Sequence, residues 1–257
     1  MNYSSTTADN RGVLLFGGYQ WDAMSGAELA QGHNSAFVDK QNRSFVVYHT
    51  RFSNGGEGHQ VRVHQLFLND EGWLMAAPFE FDGETITDEA IASKASIADA
   101  DIAGDYQFMR HQYGQNTKAK AFETPVNITL NADGTITGAE KGTLKRTAGT
   151  DYIHLTINNV VYRGVLVKQT VDYTNIPAIA ISALSSSSGS LTMGQSNFTY
   201  QQEVWAVKAD AKAAIKYTLS RMTLPFSDGA TLNAAPTLPV QGKIPIKIGR
   251  ASCRERV

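Results

Sequence analysis

Cysteine is almost missing from this chain: Cys253, near the C-terminus, is the single one in 257 residues. One thiol excludes an internal disulfide and a cysteine-based zinc or iron–sulfur site, so packing must hold the fold. Charge is scarce too. Charged residues make up 18% of the chain, against a usual figure of about 25%. Lys and Arg number 23 and Asp and Glu 24, for a formal net charge of -1. That balance leaves no electrostatic footprint for nucleic acid or an anionic membrane surface. No run approaches the roughly 20 apolar residues of a membrane span. Residues 1–7 have neither a basic start nor an apolar core and do not read as a signal peptide. What is present is a 42% hydrophobic fraction, enough for a core and too high for wholesale disorder.

The apolar residues fall in short β-prone runs between turns. Residues 13–16, 35–38, 44–49 and 61–68 read as strands, punctuated by Gly17-Gly18, Asp39-Lys40-Gln41-Asn42 and Asn69-Asp70-Glu71-Gly72. Short turns between successive strands imply an antiparallel meander. Residues 98–207 repeat the texture with a clearer period of two. Strands are read at 126–130, 135–137, 152–157, 160–167, 178–184 and 198–205, with turns at Asn131-Ala132-Asp133-Gly134 and Asn158-Asn159. Alternation at this spacing argues for an antiparallel sandwich or barrel. The Ala- and Asp-rich stretch 86–103 between them reads as a short helix or a linker. Residues 209–222 carry the one good helix pattern, with apolar Ala211, Ala214, Ile215 and Leu219. The last nine residues, 249–257, break from the text before them and read as a non-native tail.

Four of the six histidines fall within residues 33–64: His33, His49, His59 and His64. A metal pair on one strand face needs an even spacing, and His59 and His64 are five apart, so they point to opposite faces. The plainer reading is hydrogen-bonded strand and loop histidines. Arg51 ends the strand before the loop Ser53-Asn54-Gly55-Gly56-Glu57-Gly58-His59, whose glycines, Arg, Glu and His could take an oxygen-rich ligand. That loop lacks the Gly-Lys-Ser/Thr end of a phosphate-binding loop. Glu57, Asp70, Glu71, Asp82 and Glu84 are candidate carboxylates for glycoside hydrolysis, but their turn positions favour the plainer reading of solvated acids. No Gly-x-Ser-x-Gly elbow supports a serine nucleophile. Trp21, Trp73 and Trp205 could stack on sugar rings or fill a core; core filling is favoured for Trp205.

Three blocks in order carry a family resemblance: Gly32-His33-Asn34-Ser35-Ala36, then Tyr48-His49-Thr50-Arg51-Phe52, then Gly56-Glu57-Gly58-His59-Gln60-Val61-Arg62-Val63-His64-Gln65-Leu66-Phe67 with Glu71-Gly72-Trp73 close behind. Together they resemble the end of the five-bladed β-propeller of glycoside hydrolase family 43, in its arabinanase branch. Gly104-Asp105-Tyr106-Gln107-Phe108, the Asn131 to Gly138 turn and Tyr162-Arg163-Gly164-Val165 are similar to the β domain that follows that propeller. The resemblance implies an all-β chain. Residues 1–85 would be the last part of an incomplete propeller and 98–207 an antiparallel β-sandwich or barrel. Residues 208–248 would be the start of an immunoglobulin-like module.

It also implies an extracellular enzyme that cleaves internal α-1,5 bonds of arabinan, or a related plant polysaccharide, with inversion. The family's three catalytic carboxylates come from earlier blades and have no counterpart here, so no catalytic residue is transferred and the chain is expected to be inactive alone. His33 matches a family histidine that helps hold a metal, usually calcium, through water, although calcium prefers oxygen ligands. Arg51 is placed near the substrate, where a guanidinium pairs with carboxylates or hydroxyls. A rival reading is a non-catalytic carbohydrate-binding or adhesion protein with its site on 98–207, at Tyr106 or Tyr113; a structural spacer is a third. Residues 1–82, as an orphan blade with bare faces, are expected to be the less stable part.

Overall fold

The computed structural model describes residues 13–54, 58–111, 122–172, 174, 176–186, 191–193 and 198–209. The helix expected at 209–222, the immunoglobulin-like module at 208–248, the tail at 249–257, Glu57 and Tyr113 lie wholly or almost wholly outside them.

Among the described residues the chain is all-β apart from two short helices. Strands β1 (Glu28–Val38), β2 (Ser44–Phe52), β3 (His59–Leu68) and β4 (Leu74–Ala76) pair in that order as an antiparallel meander. The turn at Asp39 forms because its carboxylate accepts the N–H groups of Gln41 and Arg43, and Asn42 takes the left-handed backbone (φ 58°) that asparagine tolerates. Residues 13–16, expected as a strand, make an isolated bridge instead, Leu14 to Gln202.

The connector is ordered. Helices α1 (Asp88–Ser93) and α2 (Asp99–Ile102) strap it down. The Thr87 hydroxyl caps α1 by accepting the Ala90 N–H. Buried Asp151 accepts the Ser96 N–H and pairs with Arg146, and Ile91, Ile97 and Ile102 are buried beneath.

Eight strands then close a barrel: β5 (Gly104–Arg110), β6 (Val126–Leu130), β7 (Thr135–Gly138), β8 (Gly142–Arg146), β9 (Tyr152–Ile157), β10 (Val160–Thr170), β11 (Pro177–Ser185) and β14 (Glu203–Lys208). Of the sandwich and the barrel, the barrel is what forms. Its circuit is β10-β11-β14-β5-β6-β7-β8-β9, and every neighbouring pair is antiparallel. The run expected as one strand at 198–205 divides. Residues Phe198–Tyr200 (β13) pair with Leu191–Met193 (β12) in a separate hairpin, and β14 alone joins the barrel.

Period-two alternation decides which core each side chain joins. On β14, Val204 and Ala206 point into the barrel with Tyr106, Phe108, Ile128, Leu155 and Tyr162. Trp205 and Val207 point outward and join Tyr19, Trp21, Phe67, Met75 and Phe79 of the N-terminal part. Strands β10 and β11 are buried on both faces for the same reason, which accounts for their nearly continuous apolar text. The sheet is therefore not bare on both sides, as an orphan blade was expected to be. One face shares a core with the barrel wall. Exposed apolar residues remain at Phe37, Val38 and Val61.

Candidate functional site

The exposed face of the sheet gathers three of the four clustered histidines. Strands β2 and β3 pair Arg51 with His59 and His49 with Val61, so His49, Arg51 and His59 share one face. Register shifts in β1 on either side of Gly32 bring His33, itself at φ 50°, to the same place. The His33 and His49 rings lie 5.7 Å apart, and His49 and His59 4.8 Å. Arg51 Nε donates to His59 Nε2 at 2.8 Å, which puts the His59 proton on Nδ1 if the ring is neutral. Partial desolvation, then the positive neighbours His59, His33 and Arg51, hold the His49 imidazole below the ordinary histidine range. The structure thus brings the two expected site residues, His33 and Arg51, onto one face together with His49 and His59. Imidazole and guanidinium do not make a calcium site, because calcium takes oxygen ligands. No group of three or more His, Cys, Asp or Glu side chains among the described residues is arranged to hold a metal.

His64, five residues from His59, points the other way and is fully buried. The aromatic candidates separate as well. Trp21 and Trp205 are core, whereas Trp73 is 41% exposed. Tyr106, one of the two tyrosines named for the sugar-binding alternative, is 0% exposed: it lies inside the barrel, its hydroxyl donating to the Ile102 carbonyl. The alternation of β5 turns it inward with Phe108.

Two of the turn carboxylates, Asp70 and Glu71, are structural. Asp70 accepts from Arg163 at 2.8 Å and lies 2.7 Å from His154 Nε2; Glu71 pairs with Arg163 and accepts from the Ser186 hydroxyl. This turn therefore fastens the sheet to β9 and β10. Asp82 and Glu84 sit beyond β4, where the Glu84 carboxylate accepts the Asp82 N–H. A shallow groove of about 400 Å³ on the barrel is lined by Lys141, Gly142, Thr143, Thr156, Asn158 and Asn159, with no carboxylate in its wall.

A buried polar arrangement lies at the joint between sheet and barrel, and sequence reasoning selected neither its Glu203 nor its His111. Glu203 is fully buried, and its Oε1 accepts from the Ala76 N–H (2.8 Å), the Trp205 indole (2.9 Å) and the Ser182 hydroxyl (3.1 Å). Burial drives its carboxyl well above the usual carboxylate range, against the pull of those donors. His111 packs edge-on against Trp205 at 4.1 Å and is held near pKa 3, first by burial and then by His64. Deeper in the sheet, Tyr48 bridges Glu28 and His64. Gln169 exchanges two hydrogen bonds with the Phe79 backbone, and Asp172 accepts the Glu80 N–H. One sequence signal could have revealed part of this: Glu203 is two residues before Trp205, so a tryptophan assigned to the core carries the glutamate onto the same face.

Residues 78–194 match the profile of the C-terminal lipocalin-like domain of glycoside hydrolase family 43. The chain is 39% identical over 177 residues to an extracellular endo-α-(1→5)-L-arabinanase of Thermotoga petrophila, a match covering 65% of this chain and 35% of that protein. It is 38% identical over 162 residues to extracellular endo-α-(1→5)-L-arabinanase 2 of Bacillus subtilis, covering 62% and 32%. It thus spans about a third of the length of these relatives. Among solved structures, the family 43 glycoside hydrolase YxiA protein of Bacillus licheniformis matches with a TM-score of 0.63 at 32% identity, over 77% of this chain and 40% of that one. The endo-1,5-α-L-arabinanase of Thermotoga petrophila matches with a TM-score of 0.61 at 36% identity, over 78% and 40%.

Proposed function

We propose that this chain, which carries the C-terminal lipocalin-like domain of glycoside hydrolase family 43, is the non-catalytic C-terminal part of an extracellular enzyme that cleaves internal α-1,5 bonds of arabinan with inversion. The observation that carries the reading is the pairing of two parts in one chain. A four-stranded sheet and an eight-stranded barrel share a core, and the similarity to two named arabinanases covers more than three-fifths of the chain.

In this reading β1–β4 are a propeller blade, and the exposed Phe37 and Val38 belong to surfaces that further blades cover. His33 and Arg51 face the substrate side, where the guanidinium and imidazoles pair with sugar hydroxyls or with carboxylates. Calcium at His33 would need water and oxygen ligands from other residues, and no step of the reading uses it. The chain itself does not cut. Inverting hydrolysis needs two carboxyl groups roughly 6.5–9.5 Å apart across the bond. Asp70 and Glu71 are instead spent on Arg163, His154 and Ser186. The barrel serves as a brace in this reading; of the two sugar-stacking candidates, Tyr106 is enclosed and Tyr113 lies outside the described residues.

A chimera tests the proposal. This chain would replace the matching C-terminal third of the Thermotoga petrophila relative, and release of oligosaccharides from linear α-1,5-arabinan would be measured. The expected result is a folded, active chimera. A folded chimera without arabinan cleavage would count against the proposal.

A further inference from the structure

Glu28, Tyr48 and His64 stand on β1, β2 and β3, and all three are buried. The Tyr48 hydroxyl lies 3.1 Å from Glu28 Oε2 and 3.0 Å from His64 Nε2, and His64 Nδ1 lies 2.7 Å from the Ala77 carbonyl oxygen. All three lie within hydrogen-bonding reach, the Tyr48–Glu28 link being long for an O–H···O pair, and each link that forms needs its own hydrogen. A carbonyl oxygen only accepts, so the last link puts a hydrogen on Nδ1. Tyr48 has one hydrogen and can fill one of its two links. The other must come from the Glu28 carboxyl or from His64 Nε2. The chain therefore needs three hydrogens, whereas an ionised Glu, a Tyr and a neutral His bring two.

We infer that the Glu28–Tyr48–His64 chain holds one proton more in the folded protein than the same three side chains carry in neutral water. Burial favours Glu28 over His64 as the holder of that proton. Burial raises the glutamate above its ordinary 4.5, outweighing the opposing pull of Arg62 and of bonds from Tyr48, Tyr19 and Thr50. It lowers His64 to about 4, and Arg62 adds to that against the bond to Ala77. Glu28 O–H then donates to the Tyr48 oxygen, Tyr48 O–H to His64 Nε2, and His64 Nδ1–H to Ala77.

The charged and titratable groups around the chain do not supply the missing hydrogen. Arg62 Nε is 3.5 Å from Glu28 Oε1 but 3.3 Å from Glu80 Oε2, so its charge is shared. Asp172 and Glu80 are further carboxylates on the same side and act on Tyr48 in the same sense as Glu28. His111 lies on the His64 side and Tyr19 on the Glu28 side. Glu80, with a side chain 36% exposed, marks the wet end of the cluster. On release, the Glu28 O–H bond breaks and the proton passes to water. Tyr48 turns its hydroxyl hydrogen to the new carboxylate, and the Tyr48–His64 link is left without a hydrogen. His64 stacks on Phe16 at 5.3 Å and on Trp205 at 6.2 Å, so the loosened link lies in the joint between sheet and barrel.

The sign follows from the proton count. Between the ordinary values of 4.5 for Glu28 and 6.5 for His64, the unfolded chain carries an ionised glutamate and a charged histidine, the same total as the folded chain, and this chain of groups makes stability insensitive to pH. Above 6.5 the unfolded state sheds one proton that the folded state keeps. The folding constant then falls about tenfold per pH unit from this source until Glu28 ionises.

The test compares the full chain with Glu28→Gln, whose amide N–H supplies the third hydrogen permanently. Denaturant unfolding from about pH 5 to 9 should show the wild type losing up to about tenfold more in folding constant per pH unit than the variant above pH 6.5. Equal slopes in both proteins would overturn the inference. A measurement on the wild type alone removes dependence on the variant's folding. At pH 7 the carbon-13 shift of the Glu28 carboxyl should be that of a protonated acid. An ionised Glu28 beside a neutral His64 would overturn the inference.

Discussion

Trp205 of β14 shares its one indole N–H between the carbonyl of Ala76 in β4, 3.0 Å away, and Glu203 Oε1, 2.9 Å away, and so ties the barrel wall to the sheet. The same indole packs against Tyr19 at 5.2 Å, Phe16 at 5.5 Å and His111 at 4.1 Å. Trp205→Phe should lower stability by about 1–3 kcal/mol through the lost bond, and Trp205→Ala by about 3–5 kcal/mol. Because the core is shared, calorimetry should show sheet and barrel melting in one transition in the wild type. Two separate wild-type transitions would instead support an independently stable barrel.

Glu203 offers a test of sign. Its carboxyl is raised well above the usual range by burial, so its contribution is full below the ordinary value of 4.5 and is lost as pH rises. Glu203→Gln keeps an acceptor for Ala76, Trp205 and Ser182. The variant should gain on the wild type in melting temperature as pH climbs from 5 to 9. A constant deficit across that range would mean that the buried group is a carboxylate.

His111 behaves oppositely. Burial holds it near 3, far below the ordinary 6.5, so its contribution is full above 6.5 and fades as pH falls. His111→Phe keeps an edge against Trp205 without a titrating ring. Between pH 6.5 and 4 the variant should lose stability more slowly than the wild type, by up to about 1.4 kcal/mol per pH unit. Parallel melting curves for the two proteins would place His111 in water.

The Asp70–Arg163–His154 cluster also bridges sheet and barrel, but its side chains are a quarter to a third exposed. Partly exposed pairs contribute little, about 0.2–1 kcal/mol. Asp70→Asn should therefore cost less than about 1 kcal/mol in urea unfolding, a small fraction of the Trp205→Ala effect. A loss as large as that of Trp205→Ala would shift the weight of the joint onto this turn.

Much of the fold was legible because it rests on local chemistry. The strands at 126–130 and 152–157 form where the alternation places them, and Asn158-Asn159 turns because both residues accept positive φ. The face assignment of His59 and His64 followed from strand geometry alone. What escaped was long-range. Barrel closure depends on β5 meeting β14, about a hundred residues apart in sequence. The burial of Tyr106 depends on that closure. Glu28, Glu203 and His111 are polar residues whose texture resembles that of surface positions, and only the docking of sheet on barrel encloses them. The histidine face was half visible: the cluster is in the sequence, but the register shifts that bring His33 to His49 are not.

The central claim is that this chain braces a sugar-cleaving enzyme and does not itself break the bond. The direct measurement is incubation of the purified, folded chain with linear α-1,5-arabinan, counting new reducing ends. The account predicts none above the substrate blank. Turnover that disappears on replacing one of the chain's own carboxylates, such as Asp70 or Glu71, would contradict it.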